Sequence, residues 1–312
     1  MTVFDAHCDT IQRITDMGGN LFNNPYHFDI LRIKAQKTRY IQIFAAFINK
    51  KADKLTPYLR FKQLADRYFE EIENNKEHIS HCISSTGIKD TVSQGKIAAI
   101  LSVEGGETIE GDIEKLRAIY DRGVRVMTLT WNFSNEISGS IGEKDASGLS
   151  EFGKKVVLEM NKLGMLIDVS HISEKGFWDV MEISKAPIAA THSNAKSVCD
   201  NARNLDDEQI RAIIKNGGCI GVNMYSKFVS NGTNCSIKDV LKHIEHILSL
   251  GGEDHLGLGC DFDGIDFMPC EMKGAEDLYK IFDEMQRLGY SNCLIKKIFS
   301  DNFLNLLEKI LI

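Results

Sequence analysis

Short apolar segments rich in β-branched residues alternate along the chain with longer segments that have a helical period. Buried strands produce the first pattern and amphipathic helices produce the second. The apolar segments predict eight strands, at Val3–Asp9, Ile41–Phe47, Ile97–Glu104, Val124–Trp131, Met165–His171, Ile188–His192, Cys219–Met224 and Leu256–Asp261. The periodic segments predict helices at Pro57–Asn74, Asp112–Asp121, Ser150–Leu163, Ser173–Ile183, Asp206–Lys215 and Ile237–Leu250.

Eight strands separated by helices over about 260 residues are typical of an α/β protein with a (β/α)8 barrel of the TIM type. The strands of such a barrel are covered on both faces and are therefore almost wholly apolar. A doubly wound open sheet is the alternative fold. Because the 312-residue chain contains only four prolines and no repeat or Pro-rich linker, we expect one domain over residues 1–312. Two connections are long enough to act as lids, Asn132–Gly148 and Phe262–Gly274.

Composition and charge narrow the class of protein. The net charge is −7, from 44 acidic and 37 basic residues without long blocks of one sign, which argues against a nucleic-acid partner. We find no signal-peptide pattern and no apolar segment approaching the roughly 18 residues of a membrane helix. We therefore expect a cytoplasmic protein that acts on a small molecule, away from membranes. Eight cysteines occur singly, with no C-x-x-C pair, so most are expected to be reduced and buried.

Polar residues interrupt the apolar pattern mainly at the C-terminal ends of the predicted strands. In a barrel all these ends open onto one face, where active sites are built. Because side chains alternate along a strand, residues 7 and 9 are expected to point into the mouth and residue 8 away from it. The polar residues at the strand ends are His7, Cys8, Asp9, Glu104, His171, His192 and Asp261.

Three histidines and three carboxylates at one face form a ligand set for divalent metal, with zinc or a similar ion favoured. Their number suits two metals better than one, and Glu104 can offer one oxygen to each. Two dications would offset the charges of Asp9, Glu104, Asp261 and a bridging hydroxide. We expect the remaining six histidines to be structural or solvated, namely His27, His78, His81, His243, His246 and His255.

Several segments, in this order and spacing, resemble the membrane (renal) dipeptidase family of zinc-dependent dipeptidases, peptidase family M19. They include D-A-H-C-D, S-V-E-G-G-E, L-I-D-V-S-H, A-A-T-H-S-N-A, N-A-R-N-L-D-D and L-G-L-G-C-D-F-D-G, and the resemblance covers most of the chain. It implies a metallo-dependent hydrolase that cleaves dipeptides by means of a hydroxide bridging two zinc ions. It further implies that one zinc is bound by His7 and Asp9, the other by His171 and His192, and both by Glu104.

The same resemblance implies two further roles and an assembly. Asp261 would accept and donate protons, which suits a carboxylate close to the metals. Arg203, in N-A-R-N, would hold the C-terminal carboxylate of the substrate, whose geometry a planar guanidinium matches in a bidentate way. Membership would also imply a homodimer.

One position departs from the family pattern. Many members have L-T-H, with a histidine that bonds the substrate carbonyl or the oxyanion, whereas this chain has L-T-W-N, with Trp131 and Asn132. Since tryptophan offers a single donor, the oxyanion would be stabilised by zinc, by the indole N–H, by Asn132 or by Asn135. We expect Trp131 and Asn132 to contact the substrate and the indole ring to influence substrate choice.

Other functions stay open on the sequence. The nearest are a different amidohydrolase, such as a deacylase of N-acyl amino acids, or a deaminase. Release of two free amino acids distinguishes a dipeptidase from both. A non-catalytic metal-binding barrel is the alternative from another class, and the presence of Asp261 argues against it.

Overall fold

In the computed structural model, which describes residues 1–311, eight parallel strands close into a barrel. Each barrel strand pairs in parallel with both of its neighbours. Within the described chain the strands are β1 Thr2–Cys8, β2 Arg39–Phe47, β3 Ile79–His81, β4 Ile97–Glu104, β5 Val124–Thr128, β6 Leu166–Asp168, β7 Ala189–Ala190, β8 Cys219–Val222 and β9 Leu256–Leu258.

Closure of the sheet distinguishes the barrel from an open α/β sheet. Around the barrel the strands follow the order β1, β2, β4, β5, β6, β7, β8 and β9, and β9 pairs again with β1. Strand β2 pairs with β4 from Ile41 opposite Ala98 to Phe47 opposite Glu104. The short β3 adds only to the first residues of β4. The predicted TIM-type barrel is therefore confirmed, and the doubly wound alternative is wrong.

Helices surround the barrel, and all six predicted helices form within a few residues of their expected ends. One of them, α3, begins with a proline in its first turn, where the missing N–H has no intrahelical role. The helices beyond these six were not predicted from the sequence. The helices are α1 Thr10–Met17, α2 Ile30–Ala35, α3 Pro57–Asn74, α4 Ser85–Ser93, α5 Ile113–Asp121, α6 Glu151–Leu163, α7 Glu174–Ile183, α8 Asp207–Asn216, α9 Ser226–Ser230, α10 Ile237–Ser249, α11 Tyr279–Arg287, α12 Asn292–Lys296 and α13 Asn302–Ile310.

The barrel interior is filled by alternate strand residues and closed at one end by α13. Phe4, Ile41, Ile43 and Ile100 belong to this inner cluster, together with apolar residues of α13. Phe4 stacks on Phe303 of α13 with ring centroids 5.2 Å apart. A larger cluster lies between the strands and the outer helices. The end opposite α13, where the strands finish, is left for the polar residues.

Five of the predicted strands end two or three residues earlier than expected, among them β8, which ends at Val222 instead of Met224. The expected ends at Trp131, His171, His192 and Asp261 lie two or three residues beyond the last paired residue of their strands. At two of these positions the backbone turns into the left-handed region, with φ of 67° at His171 and 62° at Asp261. An extended ladder cannot continue through such a residue.

Most cysteines are free and buried, as the sequence predicts. Residues 1–311 contain no disulfide, and six of the eight cysteines are buried, while Cys270 and Cys293 are exposed. Over the same residues, none of the helices has the length and apolar character needed to cross a membrane.

Candidate active site

Six of the predicted site residues converge at the open end of the barrel. Glu104 lies at their centre, with Oε2 3.4 Å from His7 Nε2. Its other oxygen, Oε1, lies 3.1 Å from His171 Nε2 and 3.4 Å from His192 Nε2. Asp9 and Asp261 complete the group, with carboxylate oxygens 3.7 Å and 4.0 Å from His7 Nε2. Each oxygen of Glu104 therefore faces a different set of histidines.

A β-bulge in β1 sets the direction of His7 and Asp9. Phe4 and Ala6 face the barrel interior, so uninterrupted alternation would also turn Cys8 inward. The register with β2 shifts between Asp5 and Cys8, and Cys8 packs instead in the outer cluster. The carboxylate of Asp5 accepts a hydrogen bond from Cys260 N at 2.8 Å, next to the bulge. The predicted direction of Cys8 agrees with the structure, but it depends on the bulge as well as on alternation.

Unusual backbone conformations let the carboxylates approach closely. Asp261 adopts a left-handed conformation that non-glycine residues rarely adopt and that is typically found at functional sites. At Gly264 a Cβ atom would lie 2.3 Å from Asp9 Oδ2 and 2.4 Å from Asp261 Oδ1. Only glycine leaves room for both oxygens at this position.

Hydrogen bonds donated by Nδ1 orient two of the histidines. His171 Nδ1 lies 2.9 Å from Asn132 Oδ1, and His192 Nδ1 lies 2.8 Å from Thr191 Oγ1. The Thr191 hydroxyl donates to Asp168 Oδ2 at 2.6 Å and so accepts from His192. With the proton on Nδ1, each ring directs an unprotonated Nε2 toward Glu104, as a metal ligand requires.

Burial and charge determine the protonation of the histidines. Burial lowers the pKa of His171 to about 4, with Arg203 adding to the effect. Burial also lowers the pKa of His192 to about 3, helped by the charge of His7. The pKa of His7 is raised despite burial because Glu104 and Asp9 favour its charged form. His171 and His192 are therefore neutral near pH 7, the form that binds metal.

Burial and mutual repulsion raise the pKa values of two of the three carboxyl groups. Burial, followed by the charge of Glu104, raises the pKa of Asp9 to about 6. Burial also raises the pKa of Asp261 to about 7, and the charges of Asp9 and Glu104 add to this effect. The pKa of Glu104 itself is lowered despite burial, because the positive charge of His7 stabilises its anion. Positive charge placed among these groups would relieve the repulsion between the acids.

The donor set fits divalent metal. His7 Nε2 and Asp9 Oδ1 are buried and have no hydrogen-bond partner among residues 1–311. His171 Nε2 and His192 Nε2 lie 2.9 Å apart, a contact between two lone pairs that a shared cation would make favourable. Two groups of three potential ligands share His7, one with Glu104 and His192 and the other with Asp9 and Asp261. These residue types are those that zinc and similar ions prefer.

A cleft of about 440 Å³ leads to this centre. Trp131 and Asn132 are among the residues that line it. Asn135 is not available to an oxyanion, because its Nδ2 donates to Glu107 Oε2 and to Leu129 O. Within the described chain, Asn132 Nδ2 and Trp131 Nε1 have no hydrogen-bond partner, so these two donors remain for the substrate.

Arg203 lies beside the centre, in a small crevice that it shares with His171. Its Nη2 donates to His192 O at 3.2 Å, and its guanidinium lies 5.3 Å from the centre of the Phe228 ring. Arg203 Nε is buried without a partner, and over residues 1–311 the guanidinium forms no salt bridge with a carboxylate. A buried cation with free donors is suited to an anionic ligand.

Two residues that support the site were missed by the sequence analysis. Asp168, the last residue of β6, is buried and accepts hydrogen bonds from Thr128 Oγ1 and Thr191 Oγ1 at 2.6 Å each. Asn223 follows β8 and donates from Nδ2 to Asp261 Oδ2 at 2.8 Å. Their only signal in the sequence is a polar side chain at the end of an apolar segment.

The remaining histidines lie outside the centre, as expected. Neither group of potential metal ligands within residues 1–311 includes them. Their ring nitrogens bond backbone or side-chain groups elsewhere, as in the contact of His81 Nδ1 with Tyr68 OH at 2.8 Å.

Substitutions of neighbouring residues in β1 test the orientation of this strand. We expect His7→Ala to lose metal and to lower kcat/KM by more than the roughly hundred-fold that loss of a residue supporting a metal ligand costs. Cys8→Ala should keep metal and most activity, at a cost of about 1 kcal/mol in the free energy of unfolding. Zinc content and steady-state kinetics measure both variants. Equal loss of metal in the two would make Cys8 a ligand and contradict the bulged geometry.

Sequence comparisons identify the family of the chain. The sequence profile of the membrane dipeptidase family, peptidase family M19, matches residues 1–311. A protein of Klebsiella pneumoniae described as uncharacterized, in the pqqA 5′ region, is 34% identical over 239 residues, which cover 73% of this chain and 88% of that protein.

Solved structures of metallopeptidases superpose on almost the whole chain. A metallopeptidase from Rhodobacter sphaeroides, liganded with a phosphinate mimic of the dipeptide L-Ala-D-Ala, superposes with a TM-score of 0.88 and 26% identity over 99% of both chains. A metallopeptidase of family M19 called dipeptidase AC superposes with a TM-score of 0.90 and 27% identity, covering 100% of this chain and 99% of that one. The chain belongs to the membrane dipeptidase family, peptidase family M19, and is a metallopeptidase-type hydrolase that acts on dipeptides.

Proposed function

We propose that the protein is a zinc-dependent dipeptidase with two metal ions, in which Asp261 transfers protons and Arg203 binds the C-terminal carboxylate of the substrate. The observation that carries the proposal is the position of Glu104, whose two oxygens face separate sets of ligands. One metal would be held by His7 and Asp9, the other by His171 and His192, with Glu104 shared. Bound there, such ions lower the pKa of water and polarise a carbonyl group.

Asp261 would accept the proton of the attacking water. One carboxylate oxygen is held by Asn223, while Oδ1 faces the centre, 4.0 Å from His7 Nε2. A pKa near neutrality lets a carboxylate accept a proton and later release it to the leaving amine. The chain therefore needs no serine or cysteine nucleophile.

Arg203 would fix one end of the substrate. Its contact with His192 O holds the guanidinium close to the metal ligands and leaves other N–H groups free. A carboxylate of the substrate would supply the anionic partner that the described protein lacks. Asn132 and Trp131, which line the cleft, would supply hydrogen bonds to the scissile carbonyl. Assembly as a homodimer and a cytoplasmic location stay predictions.

The substrate's charged end provides the test of Arg203. We expect Arg203→Met to lower kcat/KM by roughly thirty- to a hundred-fold for free dipeptides, because a charge-assisted pair worth about 2 to 3 kcal/mol is lost. Dipeptide amides should be affected much less, since their C-terminus never forms that pair. Arg203→Lys should recover only part of the loss, because an ammonium cannot pair in a bidentate way.

Product analysis of the same reactions separates the alternative functions. Two free amino acids are expected from each dipeptide. Equal loss on free and amidated dipeptides in Arg203→Met would place carboxylate recognition elsewhere. Release of ammonia, or of a carboxylic acid from N-acyl amino acids in preference to dipeptide hydrolysis, would favour a deaminase or a deacylase.

A further inference from the structure

Two aromatic pairs line the cleft. Phe47 and Trp131 meet edge to face with ring centroids 4.8 Å apart. Tyr225 and Phe228 form a second pair, 4.9 Å apart and also edge to face. All four rings are only partly buried and belong to the wall of the cleft that leads to Glu104. They are therefore positioned to contact what enters it.

The order of the strands places the two pairs on opposite sides of the mouth. Phe47 ends β2 and is in register with Glu104 of β4, and Trp131 follows β5, the other neighbour of β4. Tyr225 follows β8, which lies four strands away from β4 in either direction around the barrel. The first pair thus flanks the shared carboxylate, and the second lies across the cleft from it.

Arg203 gives the cleft a direction. Its guanidinium stacks over Phe228, so the positive charge lies on the side of the Tyr225–Phe228 pair. If Arg203 holds the C-terminal carboxylate, as the proposed function requires, the N-terminal residue points toward the Phe47–Trp131 pair. A dipeptide aligned in this way has its peptide bond over the six central residues.

The Phe47–Trp131 pair offers an apolar surface backed by further packing. On the outer side Trp131 contacts Phe133, with ring centroids 5.6 Å apart. Lys51 Nζ lies 3.5 Å from the centre of the Phe133 ring. Asp16, one of the carboxylates that line the cleft, is paired with Arg60. Large apolar side chains gain most from such a surface.

We propose that Phe47 and Trp131 form the subsite for the side chain of the N-terminal residue and that the enzyme prefers dipeptides with a large apolar or aromatic residue there. The proposal rests on the proposed function, because it uses Arg203 to set the direction of the substrate. It assigns Trp131 a specificity role in place of the histidine found in many relatives.

A panel of dipeptides with a constant C-terminal residue tests the subsite. With the zinc-loaded enzyme, kcat/KM is expected to rise about ten- to a hundred-fold from Gly-Ala through Leu-Ala to Phe-Ala. Trp131→Ala and Phe47→Ala should each reduce the Phe-Ala to Gly-Ala ratio to within about threefold, while Trp131→Phe should keep most of it. The ratio of Ala-Phe to Ala-Ala should change little in the same variants, because it reports the other side of the cleft.

The chain offers a matched control and an optical readout. Its other tryptophan, Trp178, lies partly exposed on α7, outside the cleft, so Trp178→Ala should leave every ratio unchanged. In the Trp178→Phe background Trp131 is the sole tryptophan. A phosphinate analogue of Phe-Ala should then change the tryptophan emission strongly, and the analogue of Gly-Ala should change it weakly.

The outcomes distinguish a failure of the subsite proposal from a failure of the proposed dipeptidase function. If no dipeptide is hydrolysed by the zinc-loaded enzyme, the proposed function fails. If Gly-Ala and Phe-Ala are hydrolysed equally well, or if the ratio survives in both alanine variants, the subsite proposal alone is overturned. A variant that fails to fold, as judged by circular dichroism, is replaced by Trp131→Leu or Phe47→Leu, for which a reduced ratio is again expected.

Discussion

Glu104→Gln is expected to remove both metal ions and to lower kcat/KM on the order of a thousand-fold or more, because the two oxygens of Glu104 face different histidines and would be shared between the two metals. In the native protein one oxygen lies 3.4 Å from His7 Nε2 and the other 3.1 Å from His171 Nε2. Glutamine keeps one oxygen and replaces the other by an NH2 group, which cannot bind a cation. It also removes the negative charge that would be shared between two dications.

Elemental analysis after dialysis against zinc measures the outcome directly. The wild type should retain close to two zinc ions per chain and Glu104→Gln fewer than one. Glu107→Gln is the matched control, since Glu107 is also buried but accepts a hydrogen bond from Asn135 Nδ2 at 3.0 Å and takes no part in either ligand group. Its two zinc ions and most of its activity should remain. One tightly bound zinc with full activity in the wild type, or two in Glu104→Gln, would contradict the shared-ligand arrangement.

The barrel was predictable because its strands carry a strong local signal. The segment Ile97–Glu104 is buried along its whole length. In the sequence this appears as a mostly apolar segment that ends in a charged residue. The same signal located the polar residues of the site, since parallel strands in a barrel all end on one face. Even β7, which has only two residues, was found from the apolar segment around it.

Local backbone geometry could not be predicted in this way. The left-handed conformations of His171 and Asp261 could not be predicted from residue type, because aspartate and histidine are enriched at such positions but adopt this conformation only occasionally. The bulge in β1 depends on the pairing of β1 with its neighbours, and only that pairing shows that Phe4, Ala6 and His7 all face inward. Tertiary contacts decide both features.

The residues that support the site were also beyond the sequence pattern. Asp168 accepts hydrogen bonds from Thr128 and Thr191, which lie on or next to the neighbouring strands. Asn223 donates a hydrogen bond to Asp261, which is 38 residues away in the sequence. An amphipathic pattern does not distinguish α13, which closes the barrel, from the helices that surround it. Sequence therefore predicts the residues at strand ends better than the partners that orient them.

Asp261→Asn is expected to lower kcat by roughly a hundred- to ten-thousand-fold, the usual contribution of a general base, and to do so equally for free and amidated dipeptides. Asn223 donates to Asp261 Oδ2, so the new side chain would direct its oxygen to Asn223 and its NH2 group toward the centre. That group cannot accept a proton. Because proton transfer does not depend on how the C-terminus is held, this variant should differ from Arg203→Met, whose effect depends on the substrate's charge.

The pH dependence of kcat/KM tests whether Asp261 is the proton acceptor. Burial raises the pKa of its carboxyl group to about 7, with Asp9 and Glu104 adding to the effect. Only the ionised carboxylate accepts a proton, so kcat/KM should rise with pH through this pKa and be lost as the pH falls below it. Bound dications favour the anion and would bring this acid limb below pH 7. Asp261→Asn should remove the limb altogether.

Asn223→Ala completes the test, because it changes the pKa of Asp261 without removing the carboxylate. The hydrogen bond from Asn223 stabilises the anion and lowers the pKa, so its loss should move the acid limb to higher pH while the limb itself remains. Disruption of the fold alone would lower activity at every pH without moving the limb. If the limb keeps its position in Asn223→Ala and survives in Asp261→Asn, the proton acceptor is another group, and Asp261 serves only the metal centre.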